Sequence, residues 1–176
     1  MMIKKLLLFI FSITLMSCGS SKKITTSQNS INANRTIASR STTEYSTEVS
    51  IADKIVWTAV TYKGIPYKYG GTNRSGMDCS GLIYTSFKKR DVNIPRTSRL
   101  MYNDGFPIKL KEVKRGDLLF FRTSKSRNKV NHVGLVTSVD GNDIKFIHST
   151  SSRGVIVTSL NETYWNRAFI KAKRVL

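Results

Sequence analysis

The amino-acid sequence predicts an α+β fold in which helices come first and an antiparallel β-sheet follows. Three observations predict it. Apolar residues recur at helical spacing between Ser50 and Arg90. From Asp117 to Arg174 they gather instead into short runs rich in Val, Ile, Leu and Phe. Turn residues, above all Asp140-Gly141-Asn142, separate those runs. Helices and strands segregated along a chain give α+β rather than alternating parallel units.

The elements follow in order. Lys4 and Lys5, the apolar run Leu6 to Ile13 and then Leu15-Met16-Ser17-Cys18 read as an export signal over residues 1–17, too short for a permanent span. The tetrad resembles the lipobox of bacterial lipoproteins, which implies cleavage before Cys18 and lipidation of Cys18, palmitate included. An ordinary signal peptide that happens to contain Cys18 is the alternative. Residues 18–49 form the lipidated cysteine and a disordered tether, rich in Ser, Thr, Asn and Lys. Fully extended, about thirty residues reach on the order of 100 Å. Residues 50–176 are left as one domain of catalytic size.

Within that domain, Ile51, Ile55, Trp57, Ala59 and Val60 suit the buried side of a helix from Ser50 to about Tyr62, stopped by Gly64 and Pro66. The stretch 64–77, with Gly70-Gly71 and Gly76, is a loop that lets backbone come close to a substrate or to the next helix. Asp78 is a helix cap, accepting hydrogen bonds from the first turn of a helix that runs to about Arg90. Leu82, Ile83 and Phe87 share a face with Cys79, so the thiol points inward. Thr97 or Ser98 caps a short helix to about Asn103. Strands are expected at 117–121, 130–139, 143–149, 154–158 and 167–174. Gly116-Asp117 turns into the first of them, and Asp117 is structural.

Charge and cysteine count narrow the function. The formal charge is +18, and loss of Lys4 and Lys5 leaves 27 basic against 11 acidic residues, a surplus of +16. An anionic partner follows. Export argues against nucleic acid and for a carboxylate-bearing wall polymer or an anionic membrane surface. A solvated basic surface is the plain alternative, because the cations are spread along the chain. If Cys18 carries lipid, Cys79 has no disulfide partner. An unpaired thiol at a helix N-terminus is favoured as thiolate and needs a base opposite it. His132 and His148 are the two histidines available. With one remaining cysteine they are too few for a structural zinc site. No metal and no cofactor is expected.

The hairpin places the histidines. A three-residue loop at 140–142, pairing Val139 with Asp143, puts His132, Gly134 and Val136 on the face of Ile144, Phe146 and His148. A two-residue loop without a bulge would separate them. That face is the more apolar, so it is expected to meet the cysteine helix. His132 is then the base for Cys79 and His148 its orienter. A satisfied core role is the ordinary alternative for either histidine.

Several blocks together carry a resemblance. Pro66-Tyr67-Lys68-Tyr69-Gly70-Gly71, Met77-Asp78-Cys79-Ser80-Gly81-Leu82, Pro95-Arg96, Gly116-Asp117-Leu118-Leu119-Phe120-Phe121, His132-Val133-Gly134-Leu135, His148 through Val155, Tyr164-Trp165 and Arg174-Val175-Leu176 occur in this order. Residues 50–176 so resemble the NlpC-type cell-wall cysteine peptidases, in particular the small lipoprotein murein endopeptidases without an extra wall-binding domain. The resemblance implies a minimal papain-like fold, with Cys79 as nucleophile, His132 as base and His148 as third polar residue. It implies that Tyr67 orders the site or its oxyanion region, where a packing aromatic is the alternative. The implied reaction is hydrolysis of peptidoglycan stem peptides through a thioester, at the cross-link between D-Ala and meso-diaminopimelate. The alternatives are the γ-D-glutamyl-diaminopimelate bond, a non-catalytic wall-binding lipoprotein, or an acyltransferase with an apolar channel beside Cys79. A monomer in the periplasm-facing bacterial envelope is expected, and the absence of Asp at positions 19 and 20 points to the outer rather than the inner membrane. The 132–148 segment is longer than the resemblance leads one to expect by about four residues, which keeps strand parity if split evenly. The basic stretch 122–129 is either a lip over the cleft or a solvated loop.

Overall fold

The computed structural model describes residues 48–123 and 130–176, all within one compact unit. The export signal, Cys18, the tether up to residue 47 and residues 124–129 of the basic stretch lie outside the described residues.

Helix α1 (Ile51–Val60) starts at Ser50, whose hydroxyl accepts the Asp53 N–H. Its buried stripe is Ile55, Val56 and Ala59, with Thr58. This corrects the expected face. Trp57 is 51% exposed, and Ile51 and Val60 also reach solvent. Positions i, i+1 and i+4 turn one side of α1 to the core and leave Trp57 on the other. A ribbon of β1 (Thr72–Asn73) and β2 (Gly76–Met77) then leads into α2 (Cys79–Lys88), capped by Asp78 as expected. The glycine loop does approach the cysteine helix: a Cβ on Gly81 would lie 2.0 Å from the Gly71 carbonyl oxygen. Helix α3 (Ser98–Asn103) is capped by the Thr97 hydroxyl.

The strands are β3 (Phe106–Ile108), β4 (Leu118–Phe121), β5 (His132–Asp140), β6 (Asp143–Thr150), β7 (Gly154–Ser159) and β8 (Phe169–Arg174). Among the described residues they form one antiparallel sheet in the order β3-β8-β4-β5-β6-β7. Between β7 and β8 lies α4 (Thr163–Ala168), which takes Arg167 and Ala168 from the start of the expected last strand. All four residues of β4 are buried, because the sheet is covered on both faces. Leu118 and Phe120 join Val133, Leu135 and Ile147 in the core beneath α1 and α2. Leu119 and Phe121 join Val136, Ile144, Phe146 and Trp165 on the other side. Asp117 is structural, as expected: its buried carboxylate accepts from Arg174 and from the Lys114 N–H.

The hairpin differs from expectation in a way that matters for the site. Asp140 pairs with Asp143, so the loop is the two residues Gly141-Asn142, with Gly141 at φ +54. That turn alone would turn the histidines apart. A β-bulge between Val136 and Ser138 restores parity: Ser138 faces Lys145, yet Val136 faces Phe146. The extra residue is Thr137. Its carbonyl accepts from Arg115, which also pairs with Asp53 of α1 at 2.6 Å. The bulge is thereby tied to the helical layer.

Candidate active site

A second correction concerns which face meets the cysteine helix. The side carrying Val136, Ile144 and Phe146 packs against Trp165 of α4, and the alternate side carrying Val133, Leu135 and Ile147 packs beneath α2. Cys79 and His132 still border one cavity, because each opens its element. The Val133 backbone hydrogen-bonds to the Cys79 sulfur.

The histidines meet as the hairpin parity requires. His132 Nε2 lies 2.9 Å from His148 Nδ1, and His148 Nε2 lies 2.9 Å from Thr158 Oγ1 on β7. With Nε2 engaged, Nδ1 is the His132 nitrogen left for a thiol. The Trp165 ring stacks on His132 at 5.2 Å and meets His148 edge-on at 4.4 Å. Phe146 closes on His148 at 4.6 Å. Gly134 makes this possible, since a Cβ there would sit 2.4 Å from the Phe146 ring.

Asp78 is a hub as well as a cap. Its carboxylate accepts from the N–H groups of Gly81 at 2.6 Å and Gly70 at 2.8 Å. Arg96 donates to both of its oxygens, at 3.1 and 2.9 Å, and to Ser80 Oγ at 2.9 Å. Burial pushes the Asp78 carboxyl up, but the Arg96 and Gly81 hydrogen bonds outweigh it and hold the group below the usual range. Sequence reasoning quoted Arg96 without giving it a role, and it gave none to Thr158 or Trp165. An Arg just after the cysteine helix, matched against a buried capping Asp, was the available signal for the first. Thr158 and Trp165 depend on strand pairing and on a helix that has no side-chain cap at its start.

Electrostatics set the resting state. Burial pushes the Cys79 thiol up to about 11, against hydrogen bonds from the Val133, Ser80 and Cys79 backbone that favour thiolate. Burial thus opposes the preference for thiolate expected at the helix terminus. Burial also holds both imidazoles well below the ordinary histidine range. Both shifts run in the direction of a neutral thiol beside a neutral imidazole, and against a pre-formed thiolate–imidazolium pair. Tyr67 borders the same thiol, and its phenol is raised by burial and then, once the thiol ionises, by the charge on Cys79. Two cavities, about 440 and 760 Å³, meet at Tyr67, Cys79 and Asn131. His132 and Trp165 line only the first, and Asp78, Ser80 and Arg96 only the second. No group of three or more potential metal ligands occurs among the described residues.

Residues 64–174 match the NlpC/P60 family. The chain belongs to the NlpC/P60 family. Its relatives include Murein DD-endopeptidase MepH of Escherichia coli, 44% identical over 118 residues, 64% of this chain and 42% of MepH. Murein DD-endopeptidase MepS/Murein LD-carboxypeptidase of the same species is 32% identical over 129 residues, 73% of this chain and 65% of MepS. The crystal structure of an NlpC/P60 family protein from Bacillus cereus superposes with a TM-score of 0.64 at 32% identity, over 71% of this chain and 40% of that one. The chain thus spans less than half the length of MepH and of the Bacillus cereus protein. The α+β class and the NlpC-type domain agree with the sequence-based expectation.

Proposed function

We propose that the protein is a peptidoglycan endopeptidase that cuts stem peptides through a Cys79 thioester. The observation that supports it most is a thiol shared by two cavities, one of them lined by His132, which is hydrogen-bonded through His148 to Thr158 behind it. Sulfur attacks the scissile carbonyl carbon as His132 Nδ1 takes the thiol proton. The tetrahedral oxyanion is met by the Cys79 backbone N–H at the helix terminus, with Tyr67 ordering the site. The carbon–nitrogen bond then breaks and His132 returns the proton to the departing amine. Water, deprotonated by His132, hydrolyses the thioester to a carboxylate and restores the thiol. His148 holds His132 in orientation, and Thr158 holds His148.

The leaving amine must lie within reach of His132, so the leaving group occupies the cavity that His132 lines. The acyl half then runs past Asp78, Ser80 and Arg96. The names of MepH and MepS favour the bond between D-Ala and meso-diaminopimelate. We also propose a monomer anchored through a lipidated Cys18, facing the periplasm from the outer membrane, after removal of residues 1–17. Among the described residues no helix is long and apolar enough to cross a membrane.

Digestion of purified sacculi, with the products identified by mass, tests the bond. Loss of cross-linked dimers is expected. Shortened stems on uncross-linked material would move the assignment to the γ-D-glutamyl bond, and sacculus binding without cleavage would favour a wall-binding lipoprotein. Radiolabelled palmitate incorporated by the wild type but not by Cys18→Ala tests the anchor.

A further inference from the structure

The cavity on the leaving side holds two charges that the reaction steps above do not use. Arg153, in the turn between β6 and β7, and Glu162, at the start of α4, both line it beside Cys79 and His132. Arg153 uses its backbone N–H to bond Thr150 Oγ1, and Glu162 makes no side-chain cap bond to α4. Among the described residues, neither side chain has an ion-pair or hydrogen-bond partner, and the two do not pair with each other. Opposite charges that share a cavity without meeting leave room for a ligand that carries the complementary pair. An amino acid released by amide cleavage is such a ligand. Its new amine is an ammonium at neutral pH, and a carboxylate sits on the same carbon.

We propose that Arg153 and Glu162 read the amino-acid head on the leaving side, Arg153 taking the carboxylate on the carbon that bears the scissile nitrogen and Glu162 facing the ammonium that cleavage produces. The inference rests on the endopeptidase reading and deepens it by naming the group recognised next to the cut bond. Arg153 is suited to the first task because a planar guanidinium matches a carboxylate with two parallel hydrogen bonds. The amine leaves neutral, carrying the proton from His132, and gains a second proton from water, so Glu162 acts on the product. The charge of Arg153 also reaches His148, where it opposes protonation. A bound carboxylate offsets that charge and eases the passage of positive charge through the histidine pair. The same recognition covers any stem whose leaving residue keeps its α-carboxylate, whether a cross-linked diaminopimelate or a terminal D-Ala.

The test compares two cross-linked stem-peptide dimers, one with the free carboxylate beside the scissile nitrogen and one with that carboxylate amidated. The wild-type full-length protein is expected to favour the acid in kcat/KM by about tenfold or more, the range of a charge-assisted hydrogen bond. Arg153→Gln is expected to bring the acid down to the rate of the amide, and Arg153→Lys to keep part of the preference. Turnover of the amide reports that each variant is folded. Glu162→Gln is expected to weaken inhibition by the released stem peptide. An undiminished preference in Arg153→Gln, or none in the wild type, overturns the inference while leaving the endopeptidase reading intact. A wild type that cuts neither dimer overturns both.

Discussion

Thr158→Val removes one hydroxyl from the histidine relay and leaves the shape of the side chain nearly unchanged. His148 is fully buried, and its Nε2 lies 2.9 Å from Thr158 Oγ1. No water can replace that partner in an unchanged core, so an unsatisfied donor costs about 1–3 kcal/mol. The catalytic effect follows from the tautomers. In the productive arrangement His148 Nε2–H donates to Thr158, His148 Nδ1 accepts from His132 Nε2–H, and His132 Nδ1 keeps a free lone pair. Without Thr158, His148 gains by moving its proton to Nδ1. It then donates to His132 Nε2, and the His132 proton shifts to Nδ1, where it blocks acceptance from Cys79. A bias of about 1–3 kcal/mol between tautomers corresponds to a fall of about ten- to a hundredfold in kcat, with KM little changed. Steady-state kinetics on a cross-linked dimer, urea unfolding and the ¹⁵N shifts of the two imidazoles read the three consequences. Thr158→Ser is expected to restore all of them. Wild-type kcat and stability in Thr158→Val would refute the reasoning.

Three further predictions follow from the same geometry. Gly134→Ala pushes a methyl into the Phe146 ring, which packs on His148; thermal unfolding should register a loss of about 1–3 kcal/mol, and kcat should fall with it. Arg96→Ala leaves the buried Asp78 carboxylate without its cation; urea titration is expected to show about 1–3 kcal/mol lost, and the loss should shrink as acid neutralises Asp78. The buried histidines have native pKa values below the unfolded value of about 6.5, so the unfolded chain binds more protons and stability is complete above that pH and is lost as pH falls below it. Unfolding free energies from urea titrations run downward from pH 7 should therefore decline, by up to about 1.4 kcal/mol per pH unit for each histidine, and the double variant His132→Asn with His148→Asn should flatten the slope.

Periodicity and caps made most of this architecture legible in the sequence. Ser50, Asp78 and Thr97 each begin the helix their side chains cap, because capping is a local bond between neighbours. The run in β4 was readable because burial on both faces demands continuous apolar residues, and those in β5 to β7 because Val, Ile and Phe gather between turn residues. Trp57 misled because a large aromatic at helical spacing counts as core until the partner helix is known. The histidine pair was found for a reason only half right. Its shared face comes from the bulge at Thr137, which Arg115 and Asp53 hold from elsewhere in the fold, and no local pattern announces it. The short α4 was missed for lack of a side-chain cap, and with it the Trp165 lid over both imidazoles.

The most direct measurement of the central claim is the intact mass of the protein quenched in acid during turnover of a cross-linked stem-peptide dimer. The account predicts an added mass equal to the acyl half of the dimer, on the proteolytic fragment that contains Cys79, and no turnover by Cys79→Ala. Turnover by Cys79→Ala at the wild-type rate, with no acyl adduct on the wild type, would contradict it.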